Sequence, residues 1–159
     1  MDINTVNEEM SLAEALQLRA DIKTRIAQLH SRLNDNAKVQ EGETPAEDPL
    51  RLIELLSAEC SAYEKLIRRI NLTNAATVFD GQTLTALLAR RDALSLELSI
   101  FRDFLQQASQ RIDRYSKTEI KILPTVDVTA MQKTVDAKSK ELRQLDAAIQ
   151  KLNWNTMLI

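Results

Sequence analysis

The sequence contains few of the residues that interrupt helices or cross-link small folds. Its 159 residues include two glycines, three prolines and one cysteine, and aromatic residues make up 4% of the chain. One cysteine excludes an internal disulfide, and two glycines leave no glycine-rich loop whose N–H groups could hold a phosphate. Because helix-favouring leucine, alanine, glutamine and lysine are abundant instead, the composition predicts an all-α protein.

Charge and hydropathy argue against nucleic acid and membranes as partners. The formal net charge is −2, so the chain has no overall basic field that would bind nucleic acid or an anionic membrane. No apolar run approaches the ~18 residues of a membrane-spanning helix. The acidic start MDINTVNEEM lacks the apolar core of a signal peptide. We therefore expect a cytoplasmic protein with no nucleic-acid partner and no stable membrane insertion.

The strongest positive pattern is a line of residues from Leu87 to Tyr115 at alternating spacings of three and four. Such a line, called a seam here, is typical of a helix that packs on other helices along its length. The helix would be about 43 Å long, and Arg91 interrupts the otherwise apolar series. The seam residues are Leu87, Arg91, Leu94, Leu98, Phe101, Leu105, Ala108, Ile112 and Tyr115.

Three more seams predict three more helices. Ser11 begins the first, and Glu14 completes a capping box; Asp48–Pro49 begins the second, and Asp127 begins the fourth. The seams are Leu12, Ala15, Arg19, Ile22, Ile26, Leu29 and Leu33; Ile53, Leu56, Cys60, Tyr63, Ile67 and Ile70; and Val128, Met131, Val135, Lys138, Leu142, Leu145, Ile149 and Leu152.

Polar connections separate the four helices. The first, 34–48, is long for a helix-to-helix loop, and the second, 71–83, contains the turn signal Asp80–Gly81. The third includes a short extended segment near 119–126, which could pair with 77–79. The sequence thus predicts an elongated antiparallel four-helix bundle of coiled-coil hairpins. We expect residues 1–10 to form a flexible leader and 11–159 a single helical domain.

Apolar residues on a second side of two helices predict a homo-oligomer. Each seam is narrow, near two residues in seven, whereas a compact bundle needs about three in seven. The second and third helices carry additional apolar residues away from their seams, so we expect them to pack across subunits; the alternative is that other helices of the same chain cover both sides. The predicted interface residues are Leu55, Ala62, Leu66, Ala89, Ala93, Leu96, Ile100 and Phe104.

Three cations interrupt the apolar seams. Arg19, Arg91 and Lys138 each occupy a seam position, where an unpaired buried charge would be costly. Their long stems could pack while the charged heads reach water. Alternatively, the three form a polar layer that determines register or oligomeric state.

No catalytic or metal-binding constellation is evident. His30, the single histidine, has no second histidine or cysteine at ligand spacing. Cys60 lies on a seam, so we expect a buried, inert thiol. The sequence contains no Walker motif and no GxSxG motif. We expect no metal and no cofactor, and a non-enzymatic role is favoured over an enzymatic one.

One polar cluster provides an alternative, a small-ligand or anion site. The segment RIDRYSKTEIK places Arg111, Arg114, Tyr115 and Lys121 where the third helix ends. Cations there complement the helix dipole, or Arg114 could bind an anion with two hydrogen bonds. In an up-down bundle the 34–48 loop lies at the same end, so Glu41 and Glu43 would be near the cluster.

Several segments resemble a family of uncharacterised bacterial helical proteins, some of which are labelled septicolysin. The resemblance extends from Ser11 to near the end of the chain. It rests on NAKVQEGETPAEDP at 36–49, RINLTNAAT at 69–77, DGQTLT at 80–85, RIDRYSKTEIK at 111–121, PTVDV at 124–128 and NWNT at 153–156. The label implies a membrane-active toxin as a third possible function, whereas the helical pattern favours self-assembly and interaction with an unidentified protein partner.

Overall fold

The computed structural model describes residues 9–109 and 123–159, and nearly all of its regular structure is helical. The described elements are α1 (Leu12–Asp35), α2 (Pro49–Ala76), β1 (Val78–Phe79), β2 (Gln82–Thr83), α3 (Leu84–Ser109) and α4 (Val128–Asn155). The prediction of an all-α protein is confirmed, with one small hairpin added. No described helix is long and apolar enough to cross a membrane.

Two compact units divide the chain. Unit 1 comprises the described residues up to Leu84 together with Gln150–Ile159, and unit 2 comprises the described residues of Thr85–Ile149. The single domain expected over 11–159 stays a prediction. Most of the expected leader, residues 1–8, and half of the expected extended segment, residues 119–122, lie outside the described residues.

Unit 1 is built on α1 and α2, which pack together as an antiparallel pair. The Ser11 hydroxyl accepts a hydrogen bond from the Glu14 N–H, and the Glu14 carboxylate accepts one from the Ser11 N–H at 2.7 Å, so the predicted capping box is confirmed. Asp48 caps α2, with Pro49 at the first helical position. The α1 seam is also confirmed, since its buried residues are Leu12, Ala15, Ile22 and Leu29.

An ion pair aligns the two helices of unit 1. The Arg25 guanidinium donates to both Glu59 carboxylate oxygens, at 2.9 and 3.1 Å. Such a planar, two-point contact has a defined geometry, which a single-point lysine contact would not provide. The pair therefore favours one register of α1 against α2, while apolar burial supplies most of the stability.

The C-terminal residues form a short β-like contact with the start of α1. The Leu12 N–H donates to the Thr156 carbonyl at 2.8 Å, and the Leu158 N–H donates to the Met10 carbonyl at 2.9 Å. The Ile159 N–H donates to the Thr73 hydroxyl at 3.0 Å. Three segments of unit 1 are thus joined where α1 begins and α2 nears its end.

The predicted seam of α2 is confirmed at Ile70 but was wrong for most of its length. Its buried residues are Leu52, Ala62, Leu66, Ile70 and Thr73, so α2 faces α1 with a different side from the predicted one. Ile53 and Cys60 of the predicted seam are exposed. The helix also continues to Ala76, through the first half of the predicted 71–83 connection.

The rest of that connection is a tight hairpin. Val78 pairs with Thr83 and Phe79 pairs with Gln82. The turn residues Asp80 and Gly81 both have positive φ, 49° and 76°, as a two-residue hairpin turn requires. The predicted turn is confirmed. The suggested pairing of 77–79 with the segment near 119–126 depends on residues 119–122, which lie outside the described residues, so it stays a prediction.

Unit 2 is an antiparallel pair formed by α3 and α4. The described part of the α3 seam is confirmed: Leu87, Leu94, Leu98 and Leu105 are buried. Leu98 and Leu105 pack with Val135 of α4, and half-buried Phe101, Val128, Met131 and Leu142 surround them. Asp127 accepts a hydrogen bond from the Ala130 N–H at 3.0 Å, so the predicted start of α4 is also confirmed.

The capping box of α1 gives a direct stability test. We expect Ser11→Ala to lower the free energy of unfolding by about 1 kcal/mol, because the Glu14 N–H loses its acceptor. Urea denaturation at pH 7 measures the change. The control is Ser31→Ala at an exposed position of the same helix, which should not destabilise the protein. Equal stability of the Ser11→Ala variant and the wild type would show that the cap contributes nothing.

Candidate functional site

The outward side of α3 is the main exposed apolar surface of unit 2. It is formed by Ala89, Ala93, Leu96, Ile100 and Phe104, called the outer face of α3 here. Leu96 is 65% exposed, Ile100 57% and Phe104 43%. At about 100° per residue these five side chains lie opposite the buried seam. The prediction that α3 is apolar on two opposite sides is therefore confirmed.

The neighbouring helix of the same unit does not have such a surface. The exposed positions of α4 include Lys133, Asp136, Lys140 and Gln144, the polar pattern expected of a helix whose outer side faces water. Within unit 2, therefore, α3 has an apolar exposed side and α4 has a polar one. Contiguous apolar side chains of this kind usually mark an interaction surface.

Charged residues border the outer face of α3, and several of them are paired. The Arg91 guanidinium donates to Asp92 at 2.7 and 2.9 Å. The Lys138 ammonium donates to Glu97 at 2.8 Å, and its charge also lies 5.5 Å from the centre of the Phe101 ring. The carboxylates of Asp92 and Glu97 thus have cationic partners within unit 2.

Two of the three seam cations, Arg91 and Lys138, thus form ion pairs. Lys138 joins α4 to α3, as a register-determining residue would. Arg91 instead pairs with the adjacent residue of its own helix, so this pair does not connect helices. Arg19 is half-buried on α1. A polar layer made by all three cations stays a prediction.

The α2 members of the predicted interface have a different environment. Ala62 is 4% exposed and Leu66 is fully buried, and both belong to the side of α2 that packs in unit 1. Leu55 is half-buried. Side chains already covered within one chain cannot add area to a contact between chains, so the prediction for Ala62 and Leu66 was wrong. The outer face of α3 and half-buried Leu55 are what remain of the predicted interface.

The outward strip of α2 is a further surface that sequence reasoning assigned to the interior. Half-buried Tyr63 and Ile67 and exposed Leu72 form an open, mainly apolar groove with Glu64, Arg68 and Asn71 at its edges. Nearby Cys60 carries a free, exposed thiol, so the prediction of a buried cysteine was wrong. The sequence did contain a signal for this surface, because apolar residues cover a wider sector of α2 than one neighbouring helix can bury.

A polar groove lies between α3 and α4 within unit 2. Arg102 donates to the hydroxyl of buried Ser139 at 3.0 Å, and that hydroxyl donates to the Val135 carbonyl at 2.7 Å. Gln132 donates to Asp136 at 2.9 Å beside them. These polar groups satisfy one another, and the arrangement resembles a helix-to-helix contact more than a prepared ligand site.

The described residues contain no group of three or more acidic, histidine or cysteine side chains that could hold a metal ion. His30 is exposed, and its ring lies 3.3 Å from the amide nitrogen of Asn34. The alternative ligand site cannot be placed, because Arg111, Arg114, Tyr115 and Lys121 lie outside the described residues. Glu41 and Glu43 are exposed in the 34–48 loop.

The 34–48 loop is tied back to α1 by a residue that sequence reasoning did not select. Asn36 is buried; its amide nitrogen donates to the Arg32 carbonyl, and its amide oxygen accepts from the Glu47 N–H, both at 2.9 Å. Arg32 also forms an ion pair with Glu47. The hydrogen bond from Arg32 lowers the pKa of the Glu47 carboxyl.

Comparison with known proteins gives a family but no activity. Residues 19–158 match the family of unknown function DUF6847. The chain belongs to this family. Its fold is similar to that of a functionally unknown conserved protein from Corynebacterium diphtheriae, known from a crystal structure, with a TM-score of 0.88 and 42% identity. The similarity covers 96% of this chain and 100% of that one. No curated protein in the comparison matches.

Membership of this family confirms part of the resemblance described from the sequence. The chain belongs to a family of unknown function, and its relative has the same, mainly helical fold. Neither description mentions a cytolysin, so nothing in these comparisons supports the septicolysin label. The family model covers residues 19–158, so the match extends over most of the chain rather than over one short motif.

The ion pair of the 34–48 loop predicts a pH effect. Because folding lowers the pKa of Glu47, the Arg32–Glu47 ion pair stabilises the attachment of the 34–48 loop to α1 at neutral pH. That contribution is lost as the pH falls through and below the usual glutamate value of about 4.3. We expect an NMR pH titration to show the Glu47 and Arg32 signals shifting in acid as the ion pair is lost, while the Asn36 hydrogen bonds keep the loop in place.

Two variants test this interpretation of the loop. Glu47→Gln should produce the acid-like spectrum of the loop already at pH 7. Glu54→Gln, which removes the exposed Arg51–Glu54 pair within α2, should leave the loop signals unchanged. A loop spectrum that is independent of both pH and Glu47 would contradict the assigned role of the ion pair.

Proposed function

We propose that this protein is a self-assembling helical protein with an interaction role, and that the outer face of α3 is its self-association surface. The exposure of Leu96, Ile100 and Phe104 is the observation that carries the proposal. Three large apolar side chains on one helix face are unfavourable in water, and a second apolar surface would cover them. The homo-oligomer expected from the sequence is the simplest source of that surface.

The magnitude of this burial indicates a weak contact. Full burial of a leucine, isoleucine or phenylalanine contributes about 1.5–3 kcal/mol. Covering the exposed half of three such side chains on each of two subunits therefore contributes on the order of 6 kcal/mol. Association costs about 4–15 kcal/mol in lost freedom, so burial of these three side chains exceeds only the lowest estimates of that cost, and the outer face of α3 alone supports only weak association. Additional burial on the outward strip of α2 would strengthen it.

The proposed role is non-enzymatic. The polar groups described in both units are engaged in caps, ion pairs and helix contacts. Cys60, the free exposed thiol, supports a reducing compartment such as the cytoplasm. A membrane-active role has only the septicolysin label behind it, and the net charge of −2 does not favour binding to anionic lipid.

Replacement of Leu96 tests the proposal. Leu96→Asp would place a carboxylate at the centre of the outer face, where covering it is strongly unfavourable. We expect sedimentation velocity from about 10 µM to about 1 mM to show concentration-dependent association of the wild type, weakened at least about tenfold in the variant.

The matched control is Leu50→Asp in the first turn of α2. Leu50 is 72% exposed, so the same substitution changes an exposed leucine on a different helix that is not part of the proposed surface. This variant should associate like the wild type. A wild type that stays monomeric over the whole concentration range, or equal effects of both substitutions, would overturn the proposal.

A further inference from the structure

We infer that the partner of the outer face is a second copy of this chain with its α3 antiparallel. The two-fold axis would pass between the levels of Leu96 and Glu97. This inference rests on the proposed self-association and adds its geometry. It follows from the order of small and large side chains along the outer face of α3.

Side-chain size increases from the first half of the outer face to the second. Ala89 and Ala93 lie on one side of Leu96, and Ile100 and Phe104 lie on the other. Ala89 and Phe104 are equally far from the point between Leu96 and Glu97, about 11 Å along the axis, and Ala93 and Ile100 are each about 5 Å from it. Every small residue thus has a large counterpart at the same distance.

In an antiparallel pair of α3 helices, each small residue of one copy lies opposite a large residue of the other. Ala89 of one copy lies at the level of Phe104 of the other, Ala93 lies at the level of Ile100, and the two Leu96 side chains meet near the axis. Small against large at every level keeps the helices evenly spaced and close-packed. A parallel pair would place Phe104 against Phe104 and Ala89 against Ala89, which separates the helices at one end and leaves a gap at the other.

The charges at the edges oppose this arrangement only weakly, because two of the three carboxylates involved are paired within each chain. The antiparallel pair brings Asp92 of one copy towards Asp103 of the other, and the two Glu97 residues towards each other. Asp92 is already bound by Arg91, and Glu97 is already bound by Lys138. Exposed charge pairs are weak, so the fit of the apolar side chains determines the orientation. Two seam cations thereby acquire a role at the interface.

Single cysteines on the outer face can distinguish the orientations. Cys60→Ser first removes the only native thiol. In this background Leu96→Cys should form a disulfide-linked homodimer under mild air oxidation, because its two copies lie next to the axis. Ala89→Cys alone should not, since its two copies would be about 22 Å apart and a disulfide needs Cα atoms within about 7 Å.

Mixed samples complete the experiment. Ala93→Cys mixed with Ile100→Cys should give the mixed disulfide dimer, identified by mass, in preference to either homodimer. The control is Ser95→Cys, an exposed position beside the outer face. We expect at least about tenfold more cross-linking for Leu96→Cys than for this control, because association raises the local thiol concentration.

The outcomes separate this inference from the proposed self-association. Self-cross-linking of Ala89→Cys and Ile100→Cys, with no preference for mixed dimers, would indicate a parallel pair and overturn the inference. So would association in sedimentation without cross-linking at Leu96, although self-association itself would stand. Absence of association for the Cys60→Ser protein and the wild type alike would instead overturn the proposed function.

Discussion

Burial of apolar side chains between two neighbouring helices is the constraint on which both units depend. In unit 1, Leu12, Ile22 and Leu66 are among the fully buried residues of the α1–α2 pair; in unit 2, Leu98 and Leu105 pack on Val135. A pair of helices covers only one side of each member. Whether a helix is polar or apolar on its other side therefore decides whether the unit is complete alone. That side is apolar on α3, and the outward strip of α2 is a second, partly buried case.

Polar contacts in this protein align the helices more than they stabilise them. The two-point contact of Arg25 with Glu59 favours one register in unit 1, and Lys138 with Glu97 joins the helices of unit 2. Both pairs are partly exposed, so solvent and salt weaken them. They select among arrangements that apolar burial would allow with similar energy. This division explains why Arg91 and Lys138 are tolerated at seam positions: each side chain is partly buried while its charged head binds a neighbouring carboxylate.

The sequence predicted α1, α3 and the helix starts well, because those signals are local. A capping box needs only Ser11 and Glu14, and the α3 seam repeats large apolar residues at regular spacing along the whole described helix. The prediction for α2 failed because apolar residues occupy a wide sector of that helix, and periodicity cannot choose a side within it. The choice was made by α1, which covers Leu52, Leu66 and Ile70 and leaves Ile53 and Cys60 exposed.

The amino-acid sequence by itself determined the all-α class, the helix starts, the Asp80–Gly81 turn and the two-sided character of α3, since each depends on residues within a few turns of one another. Tertiary structure alone decided which side of α2 is buried, how Asn36 holds the 34–48 loop, and that the outer face of α3 stays exposed. These outcomes depend on contacts between distant segments, whose energies differ only slightly among the alternatives that local patterns permit.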